Sequence, residues 1–186
     1  VLPRDLAQLQ NSRNIELYPY QTNSWWYLGF NLDRAPFDDL RVRTALALSV
    51  DVQALLDPIG TGELLSGPYV RSSPYYNHNV PVRETDAARA GELLEEAGYR
   101  LVDGYWTRRG ERLGFRITAH RSLESSQEVV INLQSQLRNA GVDVLVDFLD
   151  EAVWKDNVWR ARDFDIILSR WSFDRNEDVR PQLHSE

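Results

Sequence analysis

The chain has 186 residues and contains neither cysteine nor methionine. Without cysteine there are no disulfides and no thiolate metal ligands. Without methionine, initiator included, the sequence reads as a segment of a longer or processed protein, and no signal peptide is present at Val1. Histidine is scarce. His78, His120 and His184 are scattered, and no two stand at a helix spacing that would hold a metal. Lysine is limited to Lys155, a bias of coding and not of function. No apolar run approaches the roughly 20 residues needed to cross a bilayer. No Gly-rich phosphate loop and no G-x-S-x-G nucleophile motif occur, so neither cofactor nor catalytic residue is assigned. Basic charge is also short: 21 Lys and Arg against 28 Asp and Glu give a net charge of −7. That balance speaks against nucleic acid or an anionic membrane as partner.

What is present is a chain long enough for one domain with a full core, of ordinary composition. Its most informative stretch is Trp25 to Asp51, WWYLGFNLDRAPFDDLRVRTALALSVD. Trp25 to Phe30 is an aromatic and apolar run of strand length. Trp25 and Trp26 are adjacent and so point to opposite faces: one belongs to the core, the other to a cleft or a missing partner. Asn31 to Pro36 is a turn. Asp38 stands where a helix cap is expected, with Phe37 and Val42 at the spacing of a hydrophobic staple. Val42, Ala45, Leu46, Ser49 and Val50 repeat at helical spacing. Asp51 begins a second helix, which Asp57-Pro58 is expected to end.

Before this block, Pro3 to Leu9 suggests a short helix, and Ile15 to Tyr18 a short strand ended by Pro19. After it, residues 57–83 form an irregular loop rich in Gly, Pro and Tyr. A loop of this length is either packed on a core or functional. Asp86 is placed to cap a helix with Ala87, Ala90, Leu94 and Ala97 inward and Gly98 as its left-handed stop. Glu92, Glu95 and Glu96 read as its solvated face. Arg100 to Arg112 suggests a hairpin turning at Arg109-Gly110. A βαβαβ rhythm follows. Leu113, Phe115, Ile117 and Ala119 alternate as a strand. Ser125 and Glu128 have the form of a capping box for a helix carrying Val130, Leu133, Leu137 and Ala140. Val142, Val144, Val146 and Phe148 alternate again. Asp150 begins a short helix to about Ala161, and Phe164 to Ser169, FDIILS, suits a strand covered on both faces. Helix-linked strands of this kind make a parallel sheet with right-handed crossovers.

The block YLGFN…PFDDLRVRTALALSVD resembles the signature of the family 5 extracellular solute-binding proteins, the peptide- and nickel-binding components of bacterial ABC importers. DAARAGELLEEAGY and the Trp171-Ser172-Phe173-Asp174 segment continue the likeness. Departures are Ala87 where proline is usual, Arg175 where tyrosine is common, and Asn176-Glu177-Asp178 in place of the usual run. The resemblance implies an α/β fold: a mixed sheet with a βαβαβ unit flanked by helices, forming one lobe (residues 1–186) of a two-lobed protein like the type II periplasmic binding proteins. It implies a peptide or similar small solute bound between this lobe and a missing amino-terminal one. The partners would be the membrane subunits of an ABC importer, and the place of work periplasmic or anchored outside the cytoplasmic membrane. The family's W-x-x-D segment maps its amine-binding aspartate onto Asp174, with Trp171 beside it and Ser172 and Phe173 between; Trp25 and Trp26 are further candidate ligand contacts. A solute-sensing domain of a bacterial transcription regulator is the alternative. A glycosidase finds no support in the residues.

Overall fold

A computed structural model describes residues 9–11, 14–18, 20, 22–60, 62–123, 125–173 and 178–179. The expected helix at Pro3 to Leu9, Pro19, the segment Asp174 to Glu177 and His184 lie outside the described residues, Leu9 excepted, while Ile15 to Tyr18, expected as a short strand, forms none.

Among the described residues, seven strands form two sheets. The strands are β1 (Ser24–Phe30), β2 (Arg100–Val102), β3 (Tyr105–Arg108), β4 (Glu111–Arg112), β5 (Gly114–His120), β6 (Asp143–Leu149) and β7 (Ile166–Ser172). The helices among the described residues are α1 (Leu40–Leu48), α2 (Leu56–Ile59), which a 3-10 turn at Gln53–Leu55 leads into, α3 (Ala87–Glu96), α4 (Ser126–Asn139) and α5 (Glu151–Lys155), the last continuing into a π-helical turn, Asp156–Ala161. The larger sheet has the order β1-β7-β5-β6. β5 runs parallel to β6, from Gly114 beside Asp143 to His120 beside Leu149, and parallel to β7 through Ile117–Ile166 and Thr118–Ile167. β1 closes the far side antiparallel to β7. The sheet is therefore mixed, and the β5–α4–β6–α5–β7 succession is the parallel unit that the alternating pattern requires.

Sequence explains the two faces. Leu113, Phe115, Ile117 and Ala119 are all buried and share one core with Val42, Ala45 and Leu46 of α1, Leu94 of α3, Val130 and Leu133 of α4, and Ile166 and Leu168 of β7. The intervening Ile167 points the other way, into a second cluster with Trp154 and Val158 of the α5 segment. FDIILS is thus covered on both sides. β1 divides likewise: Trp26, Leu28 and Phe30 pack on the main core, and Tyr27 on the second.

Several local expectations are corrected. The side-chain cap of α1 is Asp39, not Asp38. Its carboxylate accepts from Arg41 N–H at 2.9 Å while the Arg41 guanidinium closes on the same group at 2.6 Å. Asp57-Pro58 does not end the second helix. Proline falls in the first turn of α2, where its missing N–H breaks no helical bond, and the stop is Gly60 at φ 75°. Ala87 is exposed, and Leu93 joins Ala90, Leu94 and Ala97 on the inner face of α3. The expected hairpin is a three-stranded sheet, β2-β3-β4, because Asp103-Gly104 makes a second turn before Arg109-Gly110. Ser125 does not cap α4 with its side chain; it sits at φ 59°. Asp150 precedes α5 without a side-chain cap bond. By contrast, Asp86 accepts from Arg89 N–H at 2.9 Å, and Asp51 from Ala54 N–H at 3.2 Å, as their positions suggest.

Candidate functional site

In open α/β sheets, the loops beyond the carboxyl ends of the parallel strands form the place where ligands meet the fold. Here those ends are His120, Leu149 and Ser172, with Ser24 at the start of antiparallel β1 beside the last of them.

β7 runs further than its apolar core predicts. Arg170, Trp171 and Ser172 remain in the ladder, opposite Trp26, Trp25 and Ser24 of β1. Phe173 N–H still donates to Asn23 O at 2.8 Å. The ladder is described through Ser172 and this further bond at Phe173; Asp174 lies outside the described residues. Trp171 and Trp25 face each other across the strand pair and share one face, because directly opposed residues point the same way. Trp25 also meets the Tyr27 ring at 5.0 Å. Its indole N–H is buried and finds no acceptor among the described residues. Trp26, on the other face, packs on the main core. Ser172 is exposed and Trp171 half-buried.

The irregular loop reaches this edge. Tyr69 stacks on Phe173 at 5.6 Å with ring planes 20° apart, and Tyr75 lies 5.6 Å beyond Tyr69. Tyr76 is buried and bonded through its hydroxyl to Ser66 at 3.1 Å, so the loop is pinned from within. A row of rings thus extends from the end of β7 across the loop. These tyrosines were visible in the sequence, but their pairing with Phe173 was not.

The end of β5 adds polar groups that sequence reading passed over. His120 Nδ1 lies 3.1 Å from Ser122 Oγ, and its ring packs 5.2 Å from Trp154. Arg121 is exposed and tethered by Nε to Phe148 O at 2.8 Å. Burial pushes the His120 pKa below its ordinary value. Lys155 and Arg170 act in the same sense, and Glu151 opposes them. Burial raises the Tyr27 phenol, with the Ser169 hydrogen bond opposing. The signal that would have found His120 to Ser122 is position alone: they follow directly on an alternating strand at its carboxyl end. Among the described residues, no three His, Asp or Glu side chains converge as a metal site would require, and no helix is long and apolar enough to cross a membrane.

Comparison with known proteins gives the family and the fold. Over 194 aligned residues the chain is 24% identical to the oligopeptide-binding protein AppA of Bacillus subtilis, covering 97% of this chain and 35% of AppA. The solved structure of AppA in complex with a nonapeptide superposes with a TM-score of 0.83 at 23% identity, over 93% of this chain and 36% of that one. NikZ of Campylobacter jejuni, solved with Ni(L-His), gives a TM-score of 0.80 at 24% identity, over 95% of this chain and 36% of NikZ. Heme-binding protein A of Haemophilus influenzae is 32% identical over 97 residues, 51% of this chain and 18% of that protein. The chain spans about a third of the length of AppA and NikZ. The model for the middle part of the bacterial extracellular solute-binding proteins, family 5, matches residues 1–184, and the chain belongs to that family.

Proposed function

We propose that this chain is one lobe of the two-lobed substrate-binding component of an ABC importer, working outside the cytoplasmic membrane. A peptide or similar small solute lies against the carboxyl edge of the larger sheet, and a second lobe of the same polypeptide closes over it. The protein acts by capture and release and catalyses no reaction. The observation that carries this reading is the convergence at one sheet edge of Trp171, Trp25, Ser172 and Phe173, with Tyr69 stacked on Phe173.

The parts have distinct roles. Asp174 takes a ligand ammonium in a charge-assisted bond. Trp171, Trp25 and the Phe173–Tyr69 pair supply an apolar wall for side chains, and Ser172 a hydroxyl. Trp26 supports this edge from the core side. The exposed guanidinium of Arg121, at the end of the neighbouring strand, offers a partner for a ligand carboxylate, which suits an amphoteric solute. AppA, whose structure holds a nonapeptide, favours a peptide as that solute.

Native mass spectrometry of the full-length protein is expected to show a co-purified small solute. Calorimetry then tests the site. Asp174→Ala should weaken peptide binding by about 2 kcal/mol or more, the cost of removing one partner of a buried charge pair. Unchanged affinity would remove the role assigned to Asp174.

A further inference from the structure

The end of β5 carries a chain of polar groups whose chemistry can be followed proton by proton. His120 is the last residue of the strand. Its carbonyl accepts from Leu123 N–H and from Ser126 Oγ, each at 3.2 Å, which holds it in place. Its Nδ1 is 3.1 Å from Ser122 Oγ, and Ser122 Oγ is 3.4 Å from Glu151 Oε2. Glu151 is paired with Lys155 Nζ at 2.6 Å, and that hydrogen bond and charge hold its carboxyl below the usual range. An ionised carboxylate only accepts, and a serine hydroxyl has one proton to give. The Ser122 proton therefore goes to Glu151, and the Ser122 oxygen accepts from His120 Nδ1–H. In the neutral imidazole this leaves Nε2 as a bare lone pair. That atom receives no hydrogen bond from any described residue.

Burial of the ring favours the neutral form. Trp154, itself buried, covers it at 5.2 Å. Of the charged groups that act on it, Glu151 of α5 favours the protonated ring, and Lys155 of α5 and Arg170 of β7 favour the neutral one. Alternation along β5 from Thr118, which pairs with Ile167, puts His120 on the sheet face that also carries Trp171 and Trp25. A lone-pair acceptor thus shares the face of the tryptophan pair, at the same end of the sheet.

We propose that His120 is a ligand contact of the cleft, its Nε2 accepting a hydrogen bond from an amide or ammonium N–H of a bound peptide. Ser122 and Glu151 are positioning residues that set the tautomer. This assignment rests on the reading of the chain as a peptide-binding lobe. It adds a requirement that the Asp174 assignment does not make: binding needs the unprotonated imidazole. Affinity is therefore full above the folded pKa of His120, which lies below about 6.5, and falls as pH drops through it.

The test uses the full-length protein and oligo-L-alanines of two to five residues. His120→Leu should weaken binding about tenfold, the size of one good hydrogen bond to a charged or buried group. His120→Gln, which keeps a polar atom near the Nε2 position, should recover most of it. The acid-side fall in affinity should vanish in His120→Leu. Selective 15N labelling of histidine in the wild type should show the proton on Nδ1, and Ser122→Ala should disturb that preference. Wild-type affinity and pH profile in His120→Leu, with Asp174→Ala still impaired, would overturn the His120 proposal and leave the lobe reading standing. A proton found on Nε2 would overturn the relay argument. Failure of the wild type to bind any of the peptides would overturn both.

Discussion

Asp86 and Ser125 stand at the starts of two helices, and only Asp86 holds a backbone N–H with its side chain. In sequence the two positions look alike, each a short polar residue before an apolar-periodic run. The difference is backbone geometry: Ser125 enters α4 at φ 59°, from which its hydroxyl makes no cap bond. Spacing shows where a helix starts but not the dihedral by which the chain enters it, which is also why the cap of α1 falls on Asp39 and not Asp38. Asp86→Ala should cost about 1 kcal/mol in urea unfolding. Ser125→Gly should instead stabilise by about 0.5–1 kcal/mol, because glycine adopts positive φ without a Cβ penalty. Equal losses at both positions would show that Ser125 caps its helix after all.

At the level of elements, alternation made β5 and β6 legible, and the continuous apolar run made the first half of β7 legible. The second half was not, because Arg170 is exposed and breaks the apolar run although β1 holds it in the ladder. The turn at Asp103-Gly104 is written in a strong hairpin dipeptide, and placing the turn at Arg109-Gly110 alone gives one hairpin where there are three strands. The small sheet docks through Trp106. Its backbone N–H donates to Gly141 O and its indole to Ala140 O, both at 2.9 Å. Gly141 is at φ 85°, and a Cβ there would lie 2.9 Å from the Gly104 carbonyl oxygen. Gly141→Ala therefore meets a positive-φ cost of about 1–2 kcal/mol and a backbone clash besides. A loss of about 2 kcal/mol or more in urea unfolding is expected, and a loss near zero would mean that the small sheet is not held at this junction.

Over the whole molecule, sequence implied a mixed α/β lobe and a ligand edge at the carboxyl ends of its parallel strands. It did not order the strands β1-β7-β5-β6, since neighbours in a sheet are chosen by packing between distant segments. Nor did it bring Tyr69 onto Phe173 or show which of Trp25 and Trp26 turns from the main core. Those are long-range contacts, and local pattern carries no record of them. The central claim is that solute meets this carboxyl edge. Hydrogen exchange on the full-length protein, with and without its co-purified solute, tests it most directly. The account predicts added protection at residues 69–75, 120–123 and 170–174 and little change at the opposite edge, around Gly114, Asp143 and Asp165. Protection at that opposite edge, with the carboxyl ends unchanged, would contradict it.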